Sequence, residues 1–257
     1  MELNYKKYGE QGPYLIILHG LLGSLDNWQS IAQILSEHFQ VYSIDQRNHG
    51  RSPHSSEINY QILAEDLEQF ILKHQLENVV LIGHSMGGKV AMHYALNFPD
   101  KLSKLIVVDI APKTYEGGHE NILELMTNFD LKSVNSRQEI ETHFVERLRS
   151  KALVQFVTKN IGRKSDNSFY WKCNLEAIVN NYEQLMKFPA SKKQFLGSTY
   201  FIKGLLSDYI QESDSFFIKK YFPSAKVFEI KNASHWVHSE NTADFVNTLK
   251  YILQENG

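Results

Sequence analysis

Short apolar runs alternate with longer amphipathic segments along the first part of the chain. The runs, rich in β-branched residues, are YLIILHG (14–20), QVYSID (40–45), NVVLIGHS (78–85) and KLIVVDI (104–110). Continuous apolar runs of this length are typical of parallel strands that are buried on both faces. Between them, NWQSIAQILSEHF and YQILAEDLEQFILKH place apolar residues three and four positions apart, as helices that cover a sheet do. This alternation predicts an α/β chain with a mostly parallel, doubly wound sheet.

The alternation breaks in the middle of the chain and resumes near its end. From Pro112 to Lys193 no comparable strand follows, but helical stretches such as ENILELMTNF and RQEIETHFVERL do. The resumed pattern consists of STYFIKG (198–204), AKVFEIKN (225–232) and the amphipathic segment TADFVNTLKYILQ. We therefore expect a core formed by residues 1–111 and 197–257, with residues 112–196 as an all-helical cap, or lid, over one sheet edge.

Composition and charge narrow the function classes that the chain can serve. Of its 257 residues 42% are hydrophobic and 22% charged, and the net charge of −2 gives a nucleic-acid partner little electrostatic support. No apolar run approaches the roughly 18 residues that a membrane span needs. The start, MELNYKKYGE, lacks the apolar core of a secretory signal, and a single cysteine, Cys173, precludes an intrachain disulfide. We expect a cytoplasmic protein with a small-molecule substrate, and the sequence leaves its oligomeric state open.

The third apolar run ends in a strand-to-helix turn that carries a serine between glycines. Residues 83–87, Gly-His-Ser-Met-Gly, match G-x-S-x-G, the nucleophile elbow, where larger side chains would collide with the neighbouring backbone. The turn would hold the Ser85 hydroxyl above the carboxyl ends of the strands and at a helix N-terminus, which favours negative charge. The alternative role of the glycines is close packing of the helix on the sheet. The position of the motif at a strand–helix junction favours Ser85 as a nucleophile.

A serine hydroxyl needs a base, and the elbow fold places serine, acid and histidine in that chain order. Five histidines follow the serine: His93, His119, His143, His235 and His238. His235 lies in the loop between the last strand and the last helix, at the same sheet edge as Ser85, and is our predicted base. His238 is closer to the helix start, where we expect packing or capping. The two also have a His-x-x-His spacing, but no third ligand or H-E-x-x-H motif accompanies it, so we predict no metal site.

Two aspartates compete for the role of the acid. Asp109 ends the run LIVVD on the strand after the nucleophile strand, which places its carboxylate at the sheet edge close to the elbow. Many such folds place the acid three residues after the glycine that ends the strand before the histidine; that position holds Ser207, and Asp208 follows it. Geometry rather than chain position defines a triad, so we favour Asp109 and keep Asp208 as the alternative. The non-catalytic role for Asp109 would be to cap a helix or a loop.

Backbone N–H groups beside the serine can bind the oxyanion of a tetrahedral intermediate. The elbow fold takes one donor from the residue after the nucleophile, here Met86, and one from the loop after an early strand. The segment LHGLLGS (18–24) supplies that loop, and the N–H of Leu21 is the predicted second donor. Leu21 and Met86 are therefore the expected oxyanion hole.

Three further residues are candidates for substrate contacts. Arg47 and Asn48 follow the second apolar run, where they either position substrate or brace the loop. Trp171 belongs to the aromatic residues of the predicted cap, most of which we expect to fill the cap's own core and a few to line an acyl pocket. Cys173 adjoins no base in a recognisable motif and is not a candidate nucleophile.

Five segments of the chain follow one another in a familiar order. They are LHGLLGSLDNW, DQRNHGRSP, IGHSMGGKVAM, VVDIAP and SHWVHSE, with FYWKCN in the cap. Together they resemble the α/β-hydrolase superfamily and, within it, the YbfF-type esterases and their mitochondrial animal relatives. The resemblance implies the α/β-hydrolase fold and hydrolysis of carboxylic esters and acyl-CoA thioesters by Ser85, Asp109 and His235, without a cofactor. One departure is Ala233-Ser234 before the histidine, where a glycine is common.

The expected function is a serine hydrolase that cleaves carboxylic esters or thioesters with small to medium acyl groups through an acyl-enzyme. Two alternatives stay open. The same three residues can serve C–C bond hydrolysis or perhydrolysis, which a substrate panel would separate from ester cleavage. The chain can also be a non-catalytic binding scaffold, because elbow folds can lose activity and keep their pocket.

Overall fold

A seven-stranded sheet forms the centre of the part of the chain that the structure describes. The structure is a computed structural model and describes residues 1–148 and 150–255. The strands are β1 (Tyr5–Tyr8), β2 (Tyr14–Leu18), β3 (Gln40–Ile44), β4 (Val79–His84), β5 (Leu102–Val108), β6 (Ile161–Arg163), β7 (Phe169–Trp171), β8 (Ser198–Gly204) and β9 (Lys226–Ile230). The sheet has the order β1-β3-β2-β4-β5-β8-β9, with β1 antiparallel to β3 and the other neighbours parallel. This order confirms the predicted mostly parallel, doubly wound sheet.

Helices lie on both faces of the sheet and in the segment between β5 and β8. They are α1 (Gln29–Leu35), α2 (Tyr60–Lys73), α3 (Met86–Asn97), α4 (Glu120–Thr127), α5 (Arg137–Leu148), α6 (Lys151–Lys159), α7 (Leu175–Asn180), α8 (Tyr182–Met186), α9 (Ser215–Tyr221), α10 (Val237–Glu240) and α11 (Thr242–Gln254). Alternate strand residues face opposite sides, so Ile16 joins one apolar cluster and Ile17 the other. Helices α2, α3 and α9 pack on the first face, and α1 and α11 pack on the second. Within the described ranges, no helix is both long enough and apolar enough to cross a membrane.

The chain between β5 and β8 holds the insertion. It contains α4 to α8, but also the antiparallel hairpin of β6 and β7, so the expectation of an all-helical insertion is wrong. Each hairpin strand has three residues, which is too short for a periodic pattern to appear in the sequence. Strand β5 pairs directly with β8, so the insertion leaves the sheet intact. Phe144 and Val154 of the insertion join the apolar cluster of α2 and α3, which packs the insertion onto the rest of the chain.

Candidate active site

Ser85 occupies a strained turn between β4 and α3. Its backbone has a φ of +53° and a ψ of −119°, a conformation that L-residues rarely adopt. A β-carbon on Gly83 would lie 2.2 Å from the carbonyl oxygen of Gly87. A β-carbon on Gly87 would lie 2.5 Å from the carbonyl oxygens of Leu18 and His19. These distances confirm that the glycines of the motif are needed to avoid collisions with the backbone.

Three predicted residues meet at the carboxyl edge of the sheet. Ser85 follows β4, Asp109 follows β5, and His235 lies in the loop between β9 and α10. The Ser85 Oγ lies 2.9 Å from His235 Nε2, and His235 Nδ1 lies 2.8 Å from Asp109 Oδ2. Because parallel strands end at the same edge, residues far apart in the chain are brought into one hydrogen-bonded row.

The Asp109 carboxylate is fully buried and is surrounded by hydrogen-bond donors. Its Oδ1 accepts a hydrogen bond from the Gly204 N–H at 3.0 Å, and its Oδ2 accepts one from the Ser207 hydroxyl. Asp208, the alternative acid, is exposed and forms no hydrogen bond with His235 in the described structure. The residue at the more usual acid position, Ser207, thus supports Asp109.

Burial shifts the pKa values of both Asp109 and His235. It raises the pKa of Asp109 to about 7, and the hydrogen bonds from Ser207 and Gly204 oppose that rise. Burial also lowers the pKa of His235 to about 3, so the ring is neutral at neutral pH. In the neutral ring, Nδ1–H donates to Asp109 and leaves Nε2 free to accept the Ser85 proton. The arrangement can therefore activate a hydroxyl nucleophile.

Two backbone N–H groups, those of Leu21 and Met86, are the predicted oxyanion donors. Met86 is the first residue of α3, where the helix leaves its N–H without an internal acceptor. Leu21 lies in the loop after β2, next to Gly20, whose added β-carbon would be 3.2 Å from Ser85 Cβ. Neither N–H forms a hydrogen bond with another described residue. Both predicted donors therefore have no hydrogen-bond acceptor among the described residues.

Two side chains that support His235 are absent from the sequence-based expectations. The Tyr209 ring stacks on the imidazole, with ring centroids 3.7 Å apart and an angle of 16° between the planes. His84 Nε2 lies 2.8 Å from the carbonyl oxygen of His235. His84 occupies a variable position of the G-x-S-x-G motif, and no local pattern marks Tyr209. His84 thus joins the loop of His235 to the elbow, and Tyr209 packs on the imidazole ring.

A cavity of about 450 Å³ opens beside the Ser85 hydroxyl. Much of its wall is apolar or aromatic and includes Trp28, Leu153, Phe156 and Trp236. Leu153 and Phe156 belong to α6 of the insertion, so the insertion forms part of the wall. A volume of this size suits a small organic molecule, and the wall combines apolar side chains with the charged Arg147.

The three candidates for substrate contacts do not line this cavity. Both carboxylate oxygens of Asp66 accept hydrogen bonds from the buried Arg47 guanidinium, at 2.5 and 3.0 Å. Asn48 is buried at a φ of +63°, and its Oδ1 accepts a hydrogen bond from the Ser55 N–H at 2.7 Å. Trp171 packs against the apolar cluster. The expectation of substrate contacts from these residues is therefore corrected, because their side chains brace loops or fill the core.

His238, His93 and the cysteine have structural surroundings. The His238 ring stacks on Trp28 at 4.3 Å, which agrees with a packing role. His93 Nε2 lies 3.0 Å from Gln61 Oε1, away from Ser85. Burial raises the pKa of Cys173 to about 12, so its thiol is protonated at neutral pH. Among the described residues, no three or more His, Cys, Asp or Glu side chains are grouped to hold a metal ion.

Comparisons with known proteins cover almost the whole chain. Residues 13–242 match a family model described as the alpha/beta hydrolase fold. A putative esterase/lipase of Haemophilus influenzae is 38% identical over 245 residues, which are 95% of this chain and 84% of that protein. Esterase YbfF of Escherichia coli is 29% identical over 263 residues, covering 99% of this chain and 100% of that protein. A solved structure, a marine microorganism esterase, has a TM-score of 0.96 and 43% identity and covers 98% of this chain and 99% of its own.

Proposed function

This chain belongs to the α/β hydrolase family, as an enzyme of the esterase/lipase type, and we propose that it cleaves carboxylic esters and thioesters with small to medium acyl groups. The proposed catalytic residues are Ser85, His235 and Asp109. The observation that carries the proposal is the row of hydrogen bonds from Ser85 Oγ to His235 Nε2, 2.9 Å, and from His235 Nδ1 to Asp109 Oδ2, 2.8 Å. Nucleophile, base and orienting acid are thereby in the order that acyl transfer requires.

The reaction proceeds in two halves. His235 Nε2 takes the proton of Ser85, whose oxygen attacks the acyl carbonyl carbon and forms a tetrahedral intermediate. The N–H groups of Leu21 and Met86 bind the oxyanion, each typically worth about 3–4 kcal/mol in the transition state. The proton on His235 then passes to the leaving oxygen or sulfur, and a water molecule, activated by the same ring, releases the acid. Every group that this scheme uses is part of the chain, so it requires no cofactor.

We also propose that residues 112–196 act as a lid that shapes the substrate site. Support comes from the cavity wall, to which His119, Leu148, Leu153 and Phe156 of this segment contribute. A lid of this kind excludes water from the oxyanion and sets the size of the substrate that enters.

Ser85→Ala tests the proposal directly. The variant should lower the hydrolysis of a p-nitrophenyl ester by on the order of 10⁴-fold or more, because only binding and the oxyanion hole remain. Ser103→Ala is the matched control, since this exposed serine lies at the start of β5, at the end of the strand opposite to Asp109. Circular dichroism should show that both variants keep the fold.

Labelling by a fluorophosphonate probe separates the alternatives. A reactive Ser85 should be labelled in the wild type and not in Ser85→Ala, and a binding scaffold should stay unlabelled in both. If Ser85 is labelled and no ester or thioester is cleaved, a panel of C–C bond and perhydrolysis substrates tests the other uses of the same residues. An unchanged ester rate in Ser85→Ala would contradict the proposal.

A further inference from the structure

Two cavities flank the Ser85 hydroxyl. The larger cavity, of about 450 Å³, has His235 and Trp236 in its wall. The smaller cavity, of about 20 Å³, has Met86 and Lys89 in its wall. Four residues line both cavities: Leu21, Ser85, His119 and Tyr209. Ser85 thus lies between the larger and the smaller cavity.

The position of the base decides which cavity takes the alcohol. His235 receives the Ser85 proton and must pass it to the leaving oxygen, so the alcohol has to lie on the His235 side of Ser85. Of the two cavities, only the larger has His235 in its wall. The alcohol therefore occupies the larger cavity, where aromatic side chains such as Trp28, Phe156 and Trp236 surround it.

The oxyanion donors decide where the acyl group lies. The carbonyl oxygen faces the N–H groups of Leu21 and Met86, and Met86 lines only the smaller cavity. At about 20 Å³ against about 450 Å³, this cavity accepts a much smaller group than the other. The acyl carbon chain, pointing away from the alcohol, enters this confined space.

Hydrogen bonds fix the wall of the smaller cavity. The Tyr60 hydroxyl donates to the carbonyl oxygen of Leu185 at 2.5 Å. The Lys89 Nζ donates to the carbonyl oxygen of Met186 at 2.7 Å. All four residues line the cavity, and these bonds tie the insertion to α2 and α3 there. The wall therefore resists the expansion that a long acyl chain would demand.

We propose, on the basis of the function proposed above, that the physiological substrate is an ester of a short acyl group with a bulky, largely apolar alcohol. Ser85 Oγ forms a bond to the short acyl carbon while the bond from that carbon to the alcohol oxygen breaks. His235 gives its proton to the departing alcohol. Water then attacks the acyl-serine, which yields a short carboxylic acid and restores the Ser85 hydroxyl.

Two ester series on the wild-type enzyme test this assignment. In benzyl esters, kcat/KM should fall from acetate to octanoate by about 10- to 200-fold or more, since misfitting methylenes in a pocket are discriminated on that scale. In acetate esters, kcat/KM should rise by about tenfold or more from methyl to benzyl to naphthylmethyl alcohol, as apolar area is buried. A rate that rises with acyl length or ignores the alcohol would overturn the assignment.

A pair of variants assigns the two cavities separately. Met186→Ala enlarges the smaller cavity and should raise the octanoate-to-acetate ratio of kcat/KM by about tenfold. Leu153→Trp fills the larger cavity and should reduce the preference for naphthylmethyl acetate over methyl acetate while leaving the acyl-length ratio unchanged. The opposite pattern would place the acyl group in the larger cavity. If the wild type cleaves no ester and Ser85 resists labelling, the proposed function itself fails; if esters are cleaved and long acyl chains preferred, only this inference fails.

Discussion

Asp109 combines a strained backbone with a buried carboxylate, which a surface loop cap would not require. Its φ of +49° lies in a region that non-glycine residues adopt at a cost on the order of 1 kcal/mol or more. The carboxylate accepts hydrogen bonds from Gly204, Ser207 and His235, away from water. Strain of this kind persists where the surroundings fix it, and it is concentrated at active sites. At the scale of the residue, these contacts favour orientation of the imidazole as the task of Asp109.

Asp109→Asn should lower kcat/KM for ester hydrolysis by on the order of 10⁴-fold, because an amide favours the wrong imidazole tautomer and no longer stabilises the imidazolium. Asp208→Asn makes the same chemical change at an exposed position and should leave the rate close to wild type. Steady-state hydrolysis of one p-nitrophenyl ester by both variants provides the measurement. The reverse ranking would identify Asp208 as the acid.

At the scale of the element, the helix that begins at the nucleophile also fastens the insertion. Lys89 lies in the first turns of α3, and its buried Nζ donates to the carbonyl oxygens of Leu185, Met186 and Lys187 at 3.4, 2.7 and 3.2 Å. These carbonyls lie at the C-terminal end of α8, where backbone acceptors lack intrahelical donors, and burial lowers the pKa of Lys89 to about 7. A shift of α8 would therefore change the smaller cavity beside Ser85.

Lys89→Met should lower the free energy of unfolding by about 1–3 kcal/mol, because the buried carbonyl oxygens at the end of α8 lose their donor. Lys187→Met is the matched control, since the side chain of this exposed lysine pairs with Glu183 at the surface; its effect should be below about 1 kcal/mol. Urea unfolding of both variants measures the difference. Equal losses would contradict a stabilising role for the bonds from Lys89 to α8.

At the scale of the whole molecule, the sequence predicts those features that a periodic or contiguous pattern encodes. The buried strands β2 to β5 appear as apolar runs, and the elbow appears as the G-x-S-x-G motif at residues 83–87. Strand β1, YKKY, is absent from the predictions because it lies at the sheet edge, where its side chains are exposed or half-buried. The hairpin of β6 and β7 is too short to have a period.

In the candidate active site, too, some features follow from a sequence pattern and others do not. The positions of Ser85 and His235 follow from a motif and from chain order, whereas the choice between Asp109 and Asp208 depends on how far apart two loops lie. The stacking of Tyr209 on His235 depends on packing between segments that are distant in the chain. Distances of this kind are set by the assembled fold, so a single sequence leaves them open.

Burial of many neutral histidines affects the molecule as a whole. Burial lowers the pKa of His19 to about 4, of His49, His84 and His235 to about 3, and of His238 well below 6.5. The unfolded chain takes up these protons near pH 6.5, but the folded chain resists them. Their contribution to stability is therefore complete above pH 6.5 and is lost as the pH falls toward about 3 to 4. Asp109 has the opposite effect on stability: its pKa is raised to about 7, so the folded chain binds its proton more readily than the unfolded chain as the pH falls. This is the effect of a single group.

The free energy of unfolding should fall below pH 6.5 by roughly 1.4 kcal/mol per pH unit for each such histidine, less the contribution of Asp109. Urea unfolding between about pH 7 and pH 5 measures this slope, with the sign given by proton uptake on unfolding. His238→Phe should reduce the slope by the share of one histidine, because phenylalanine cannot be protonated. Phenylalanine also keeps the stacking on Trp28. It should also fold, since His238 Nδ1 is buried without a hydrogen-bond partner among the described residues and its removal leaves no bond broken. A stability that is constant from about pH 7 to pH 5, or a slope that His238→Phe leaves unchanged, would contradict burial as the cause.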